Sequence, residues 1–164
     1  MKEMKEELQY SYNDGGRSKY FKGNAGDCVV RALALFTSSD YKEMYNSLKD
    51  FNIKLKPFKR KTKKHLAFIE RINNESSPRT GIFLEVLKLF IEQKGYNCSH
   101  TKEPRKLNTF KKGTYLIKIR KHIITIKNGV LYDTWDSRKR PAGTNGIDHW
   151  DEVYRTATQW WKLN

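Results

Sequence analysis

Cys28 follows the polar, glycine-rich run Gly23-Asn24-Ala25-Gly26-Asp27 and opens the apolar run Val29-Val30-Arg31-Ala32-Leu33-Ala34-Leu35-Phe36. A thiol at the first turn of a helix meets N–H groups without intrahelical partners and the positive end of the helix dipole, so its thiolate is favoured. Asp27 suits the N-cap of that helix. Downstream, His122 and Asp133 add an imidazole and a carboxylate. Together these three groups suit nucleophilic acyl transfer: thiolate attack on a carbonyl carbon, an imidazole that holds and returns the proton, and a carboxylate that fixes the ring tautomer. The Cys28 backbone N–H would steady the oxyanion. Asn24 is the best side-chain donor by chemistry and Lys22 a second.

The competing reading of each residue is plain packing. A cysteine among apolar residues is usually a small buried hydrophobe, and an aspartate after a strand is usually a turn former. The order cysteine, histidine, aspartate, on a helix start and a following sheet, favours the catalytic reading. Cys98, between Asn97 and Ser99, has no such setting and reads as structural; His65 reads as solvated, and His100 and His149 carry no role. The four histidines and two cysteines show no ligand-like spacing, so no metal or cofactor is expected.

These groups need elements to position them. Residues 1 to 12 read as a polar arm, a short helix or an edge strand, and 13 to 27 as a long loop with turn chemistry at Asn13-Asp14-Gly15-Gly16. A buried helix is expected from Cys28 to about Thr37, and a second from Tyr41 to about Phe51 with caps at Ser38-Ser39-Asp40. A third spans Lys63 to Ile72. A fourth runs from Gly81 to Lys94, capped by Thr80 and ended by Gly95. Strands are expected over 96–101, 114–120, 122–126, 130–135 and 153–163. Helices gathered before residue 95 and strands after it give an α+β fold, with N-terminal helices packed on a C-terminal antiparallel sheet. At 164 residues this is one domain: an arm and loop (1–27), a helical half (28–95) and a sheet half (96–164).

Asn128-Gly129 is the strongest short hairpin signal in the chain. A two-residue turn there pairs Lys127 with Val130, and outward counting sets Ile126 against Leu131, Ile124 against Asp133 and His122 against Trp135. Asp133 then lies diagonal to His122 on one sheet face, whereas Asp136 falls on the other. The count selects Asp133 as the carboxylate partner.

The run Gly26-Asp27-Cys28-Val29-Val30-Arg31-Ala32, with the later His122 strand and Tyr132-Asp133-Thr134-Trp135-Asp136, resembles the papain-like cysteine peptidase superfamily. Ovarian-tumour-type deubiquitinases carry Asp-Gly-Asn-Cys, two apolar residues, Arg and Ala; their first aspartate is Ala25 here. Bacteriocin-processing peptidases carry Asp-Cys with a glutamine six residues before the cysteine, which is Lys22 here. The chain is most similar to small phage and prophage proteins that share Asn-Asp-Gly-Gly-Arg, here Asn13 to Arg17, and a Gly-Asp-Cys helix start. The resemblance implies a papain-like fold, a Cys28-His122-Asp133 triad, hydrolysis of a peptide, isopeptide or related amide bond, and a viral origin with action in the host cytoplasm.

A net charge of +15, from 33 basic and 18 acidic residues, favours an acidic partner, either a protein or peptide substrate or nucleic acid. Seven cations, Lys54, Lys56, Lys59, Arg60, Lys61, Lys63 and Lys64, crowd residues 54 to 64 around Phe58 and could track a phosphate backbone. The alternative function is therefore binding of nucleic acid or a host protein, as a host-defence antagonist, on the same fold without catalysis. Met1 to Tyr10 has no apolar segment of the secretory kind and no run is long enough for a membrane span, so a reducing, cytoplasmic setting is expected and Cys28 stays a free thiol.

Overall fold

The computed structural model describes residues 7–51, 62–140 and 153–164. Within them lie helices α1 (Cys28–Thr37), α2 (Tyr41–Asp50), α3 (Lys63–Glu75) and α4 (Leu84–Lys94). The main strands are β1 (Gln9–Tyr12), β2 (Cys98–Thr101), β4 (Thr114–Ile119), β5 (His122–Lys127), β6 (Val130–Asp133) and β10 (Gln159–Leu163). They form one sheet in the order β1-β6-β5-β4-β10-β2. Two-residue strands β3 (Arg105–Lys106), β7 (Lys139–Arg140), β8 (Val153–Tyr154) and β9 (Thr156–Ala157) make small side ladders, β3 with β9 and β7 with β8. The fold is α+β. No described helix is long and apolar enough to cross a membrane.

The sheet is antiparallel except at one edge, where β1 runs parallel to β6. Residues 9 to 12 thus resolve as an edge strand. α1 lies across the sheet, fixed in part by the Thr125 hydroxyl, which donates to the Ala32 carbonyl at 2.7 Å. Period-two alternation divides the apolar side chains between two cores. Leu116 and Ile123 join α1, α2, α4 and Trp161 in one; Tyr115, Ile117, Ile119, Ile124, Ile126 and Leu131 join Leu107 and Phe110 in the other.

Several boundaries differ from expectation. The fourth helix begins at Leu84 and not Gly81, because the preceding residues form a closed turn. Ser77 and Gly81 exchange backbone hydrogen bonds, and Thr80 bonds to the Ser77 hydroxyl in place of capping a helix. Gly95, at φ 65°, ends that helix as expected. The last strand is broken into β8, β9 and β10, and the strand after Asn128-Gly129 stops at Asp133. Asp40 caps α2 through its carboxylate, which accepts from the Lys42 and Glu43 N–H groups. Asp27 does not cap α1 with its side chain; that carboxylate has other partners. His65 is half-buried on α3, not solvated, while Lys63 and Lys64 at the helix start are exposed. Lys54, Lys56, Lys59, Arg60 and Lys61, like His149, lie outside the described residues.

Candidate active site

The start of α1 sits over the start of β5, so Cys28 meets the β4–β5 turn. Cys28 and His122 line one cleft, and the His122 ring and the Ile123 backbone N–H both act on the Cys28 sulfur to favour its thiolate. His122 Nε2 bonds Asp133 Oδ2 at 2.6 Å, so Nδ1 is the ring nitrogen that Asp133 does not engage. The register is the one counted from the turn, Lys127 with Val130 and Ile126 with Leu131. The ladder ends at Thr125 with Tyr132, so the expected pairs Ile124 with Asp133 and His122 with Trp135 do not form, and the Asp133 carboxylate reaches His122 from just beyond the ladder.

Asp133 is held on every side. Its Oδ1 accepts from the Arg31 guanidinium at 3.1 Å and the Thr134 N–H at 2.8 Å; its Oδ2 accepts from His122 and from the Ser137 hydroxyl at 3.0 Å. Arg31 lies one helical turn after Cys28 and also reaches back, Nε to Asp27 Oδ1 at 3.0 Å. Asp27 Oδ2 accepts from the Tyr41 hydroxyl at 2.6 Å and pairs with Arg17 Nε at 2.9 Å. A chain of alternating charge, buried at Asp27, Arg31 and Asp133 and half-buried at its ends, therefore runs Arg17, Asp27, Arg31, Asp133, His122, Cys28. Buried ions of this kind are tolerable only when paired and hydrogen-bonded.

The Asn13 to Arg17 motif builds the near end of that chain. Asn13 and Asp14 accept from the N–H groups of Gly15, Gly16 and Ser18, closing a turn that aims Arg17 at Asp27. Gly15, at φ 69°, lies so close to α1 that a Cβ would stand 3.0 Å from the Arg31 backbone. Arg17 also donates to the Gly23 carbonyl, which fixes the loop before Cys28.

Electrostatics follow from these contacts. Burial pushes the Cys28 thiol up, but the His122 imidazolium, the Ile123 N–H and Arg31 outweigh it, and its pKa is lowered. Burial opposes charge on His122 too, yet Asp133 and Cys28 carry its pKa up to about 9. Burial likewise disfavours the Asp133 carboxylate, but His122, the Thr134 N–H and Arg31 hold it below the usual range. Burial and the bond to Asp27 push the Tyr41 hydroxyl well up, so it remains a donor. The arrangement favours a thiolate–imidazolium pair.

A cleft of about 1140 Å³ opens over Cys28 and His122, lined by Gly26, Thr80, Ile82, Phe83, Leu84, Lys118, Arg120, Lys121 and Trp135 among others. Trp135 stacks on the His122 ring at 5.3 Å. Lys22 and Asn24 do not line this cleft. They line the adjoining hollow with Tyr12 and Asp14, on the side to which Arg17 draws Gly23. The donor that faces the cleft by position is the backbone at Cys28, the first residue of α1. Among the described residues, no three His, Cys, Asp or Glu side chains are grouped as metal ligands.

Tyr41 and Ser137 carry no signal in the sequence, and Arg17, Arg31 and Thr134 stand there only as motif residues without a role. One signal was present: Arg31 is the single charge in an apolar helix, one turn from the nucleophile. Comparison with protein-family models, with curated proteins and with solved structures gives no match.

Proposed function

We propose that the protein is a papain-like cysteine hydrolase that cleaves a peptide, isopeptide or related amide bond with Cys28, His122 and Asp133. The observation that carries this reading is that Cys28 and His122 line one open cleft while the His122 ring is anchored from behind by Asp133 at 2.6 Å.

The Cys28 thiolate attacks the carbonyl carbon, and the Cys28 N–H meets the developing oxyanion. The C–N bond breaks as His122 gives its proton to the leaving amine, and the acyl group stays on sulfur as a thioester. Water then attacks the thioester, His122 takes its proton, and the free acid departs as the thiolate is restored. Asp133 holds the imidazole in place through both halves, and Arg31 and Ser137 hold Asp133. These last two are positioning residues.

The test is turnover of a library of internally quenched peptides. Cleavage is expected, with loss of all activity in Cys28→Ala. Cleavage that survives Cys28→Ala overturns the proposal. The alternative, a nucleic-acid- or host-protein-binding role without catalysis, draws on the net charge of +15. It calls for affinity that survives Cys28→Ala and, for nucleic acid, falls steeply with salt.

A further inference from the structure

The two walls of the cleft differ in chemistry. Beside the nucleophile loop, Gly26 presses on the chain at Thr80, where a Cβ would stand 2.8 Å from the Thr80 carbonyl oxygen. The residues that leave this contact, Ile82, Phe83 and Leu84, form an apolar wall. Beside the base, the wall carries Lys118 and the two-residue turn Arg120-Lys121, directly before His122, with Trp135 stacked on the His122 ring itself. Arg71 and Glu75 also line the cleft on the apolar side, paired with each other at 3.0 Å and with Arg71 over the Phe83 ring, so their charges offset. Among the described residues, no ion pair engages Arg120 or Lys121. Uncompensated positive charge is concentrated next to the imidazole.

That turn departs from ordinary hairpin chemistry. Arg120 has φ 43°, in the left-handed region where glycine or asparagine is usual. At the far end of β5 the next turn does use them, Asn128 at φ 47° and Gly129 at φ 76°. Lys118 braces the irregular turn by donating to the Arg120 carbonyl. One strand thus has standard turn residues at the end remote from the cleft and two cations in a strained turn at the cleft. Strain of this kind concentrates at functional sites.

We infer that the cleft selects a polypeptide with acidic residues on the leaving-amine side of the cleaved bond and an apolar residue on the acyl side. The inference rests on the hydrolase reading above. The imidazole that returns a proton stands beside the leaving nitrogen, so the departing chain passes the Arg120-Lys121 turn. The acyl half lies toward Ile82, Phe83 and Leu84. A nucleic acid would use the cations and leave the apolar wall and the thiol idle.

The experiment compares peptides that share an apolar acyl side and carry Glu or Lys at the first two leaving-side positions. At low salt the Glu peptides are expected to be cleaved with kcat/KM about tenfold higher, and the gap should shrink as salt rises. Arg120→Glu with Lys121→Glu should invert the preference. Arg120→Gly, which relieves the turn, should weaken the preference while raising Tm by about 2–4 °C. The same peptides serve as protectants of Cys28 against iodoacetamide, which needs no turnover, and the Glu peptides should protect at lower concentration. Equal behaviour of Glu and Lys peptides, or a preference indifferent to the double substitution, overturns the inference and leaves the hydrolase reading standing. A single-stranded RNA oligonucleotide that protects Cys28 better than the Glu peptides also overturns it. The hydrolase reading itself fails separately, if Cys28 reacts with iodoacetamide no faster than Cys98 does.

Discussion

Cys98 and His100 lie two residues apart on edge strand β2; Cys28 and His122 meet where α1 begins over β5. Both cysteines are free and half-buried, yet their electrostatics run in opposite directions. On β2, burial pushes the Cys98 thiol up. His100 stacks on Trp161 at 4.4 Å, bonds Gln159 at 3.0 Å, and is lowered, chiefly by burial. At α1 the same two groups move the other way, thiol down and imidazole up. Burial acts in the same sense at both places. The difference is the fixed carboxylate of Asp133 and the cations that hold it, which reverse the sign of the environment.

The comparison breaks most severely at Arg31. Arg31→Leu strips Asp27 and Asp133 of their shared buried partner and should cost about 3–5 kcal/mol in denaturant unfolding. A loss under about 1 kcal/mol would mean the charge chain is not what organises the site. Next in size is the imidazole. His122→Ala should slow reaction of Cys28 with iodoacetamide near neutral pH by about tenfold or more, while His100→Ala should leave Cys98 unchanged; equal slowing of the two cysteines would erase the distinction.

A smaller effect separates the histidines by pH. His122 titrates at about 9 when folded against an ordinary 6.5. Its stabilisation is therefore complete below pH 6.5 and is lost as pH climbs through 9. His100 has the opposite sign: its lowered pKa stabilises above 6.5 and that share fades as pH falls. Thermal unfolding of His122→Gln should thus lack part of the alkaline decline of the native chain, and His100→Gln part of the acid decline. Swapped behaviour would contradict the assignment. Smallest of all, Cys98→Ser should shift stability by under about 1 kcal/mol, since among the described residues no hydrogen-bonded network depends on its sulfur.

The site was legible where local rules suffice. An apolar run after Asp27-Cys28 marks the buried helix, and Asn128-Gly129 sets the hairpin register as far as Thr125 with Tyr132; Asp133, not Asp136, meets His122, but past the end of the ladder and not through the counted pairs. What stayed hidden was contact across long sequence separation. Asp27 looked like a cap because capping is a local rule; its engagement by Arg17 and Tyr41 requires the whole loop and α2. Asn24 and Lys22 looked like oxyanion donors from proximity in the chain, but Arg17 holds Gly23 and they line the adjoining hollow. Thr80 has the residue type and position of a cap, but the closed turn from Ser77 to Gly81 depends on a backbone bridge that periodicity does not report. The edge strand at Gln9–Tyr12 pairs with β6 more than a hundred residues away, beyond any local signal.

The central claim is that Cys28 is ionised by a carboxylate-anchored imidazole. The direct test is the iodoacetamide rate of each cysteine across pH, followed peptide by peptide with mass spectrometry. Cys28 should react at least about tenfold faster than Cys98 at pH 7 and keep its reactivity well below pH 9, the ordinary thiol value, while Cys98 gains reactivity only above it. Matching rates, or a Cys28 profile that rises only above pH 9, would contradict the account.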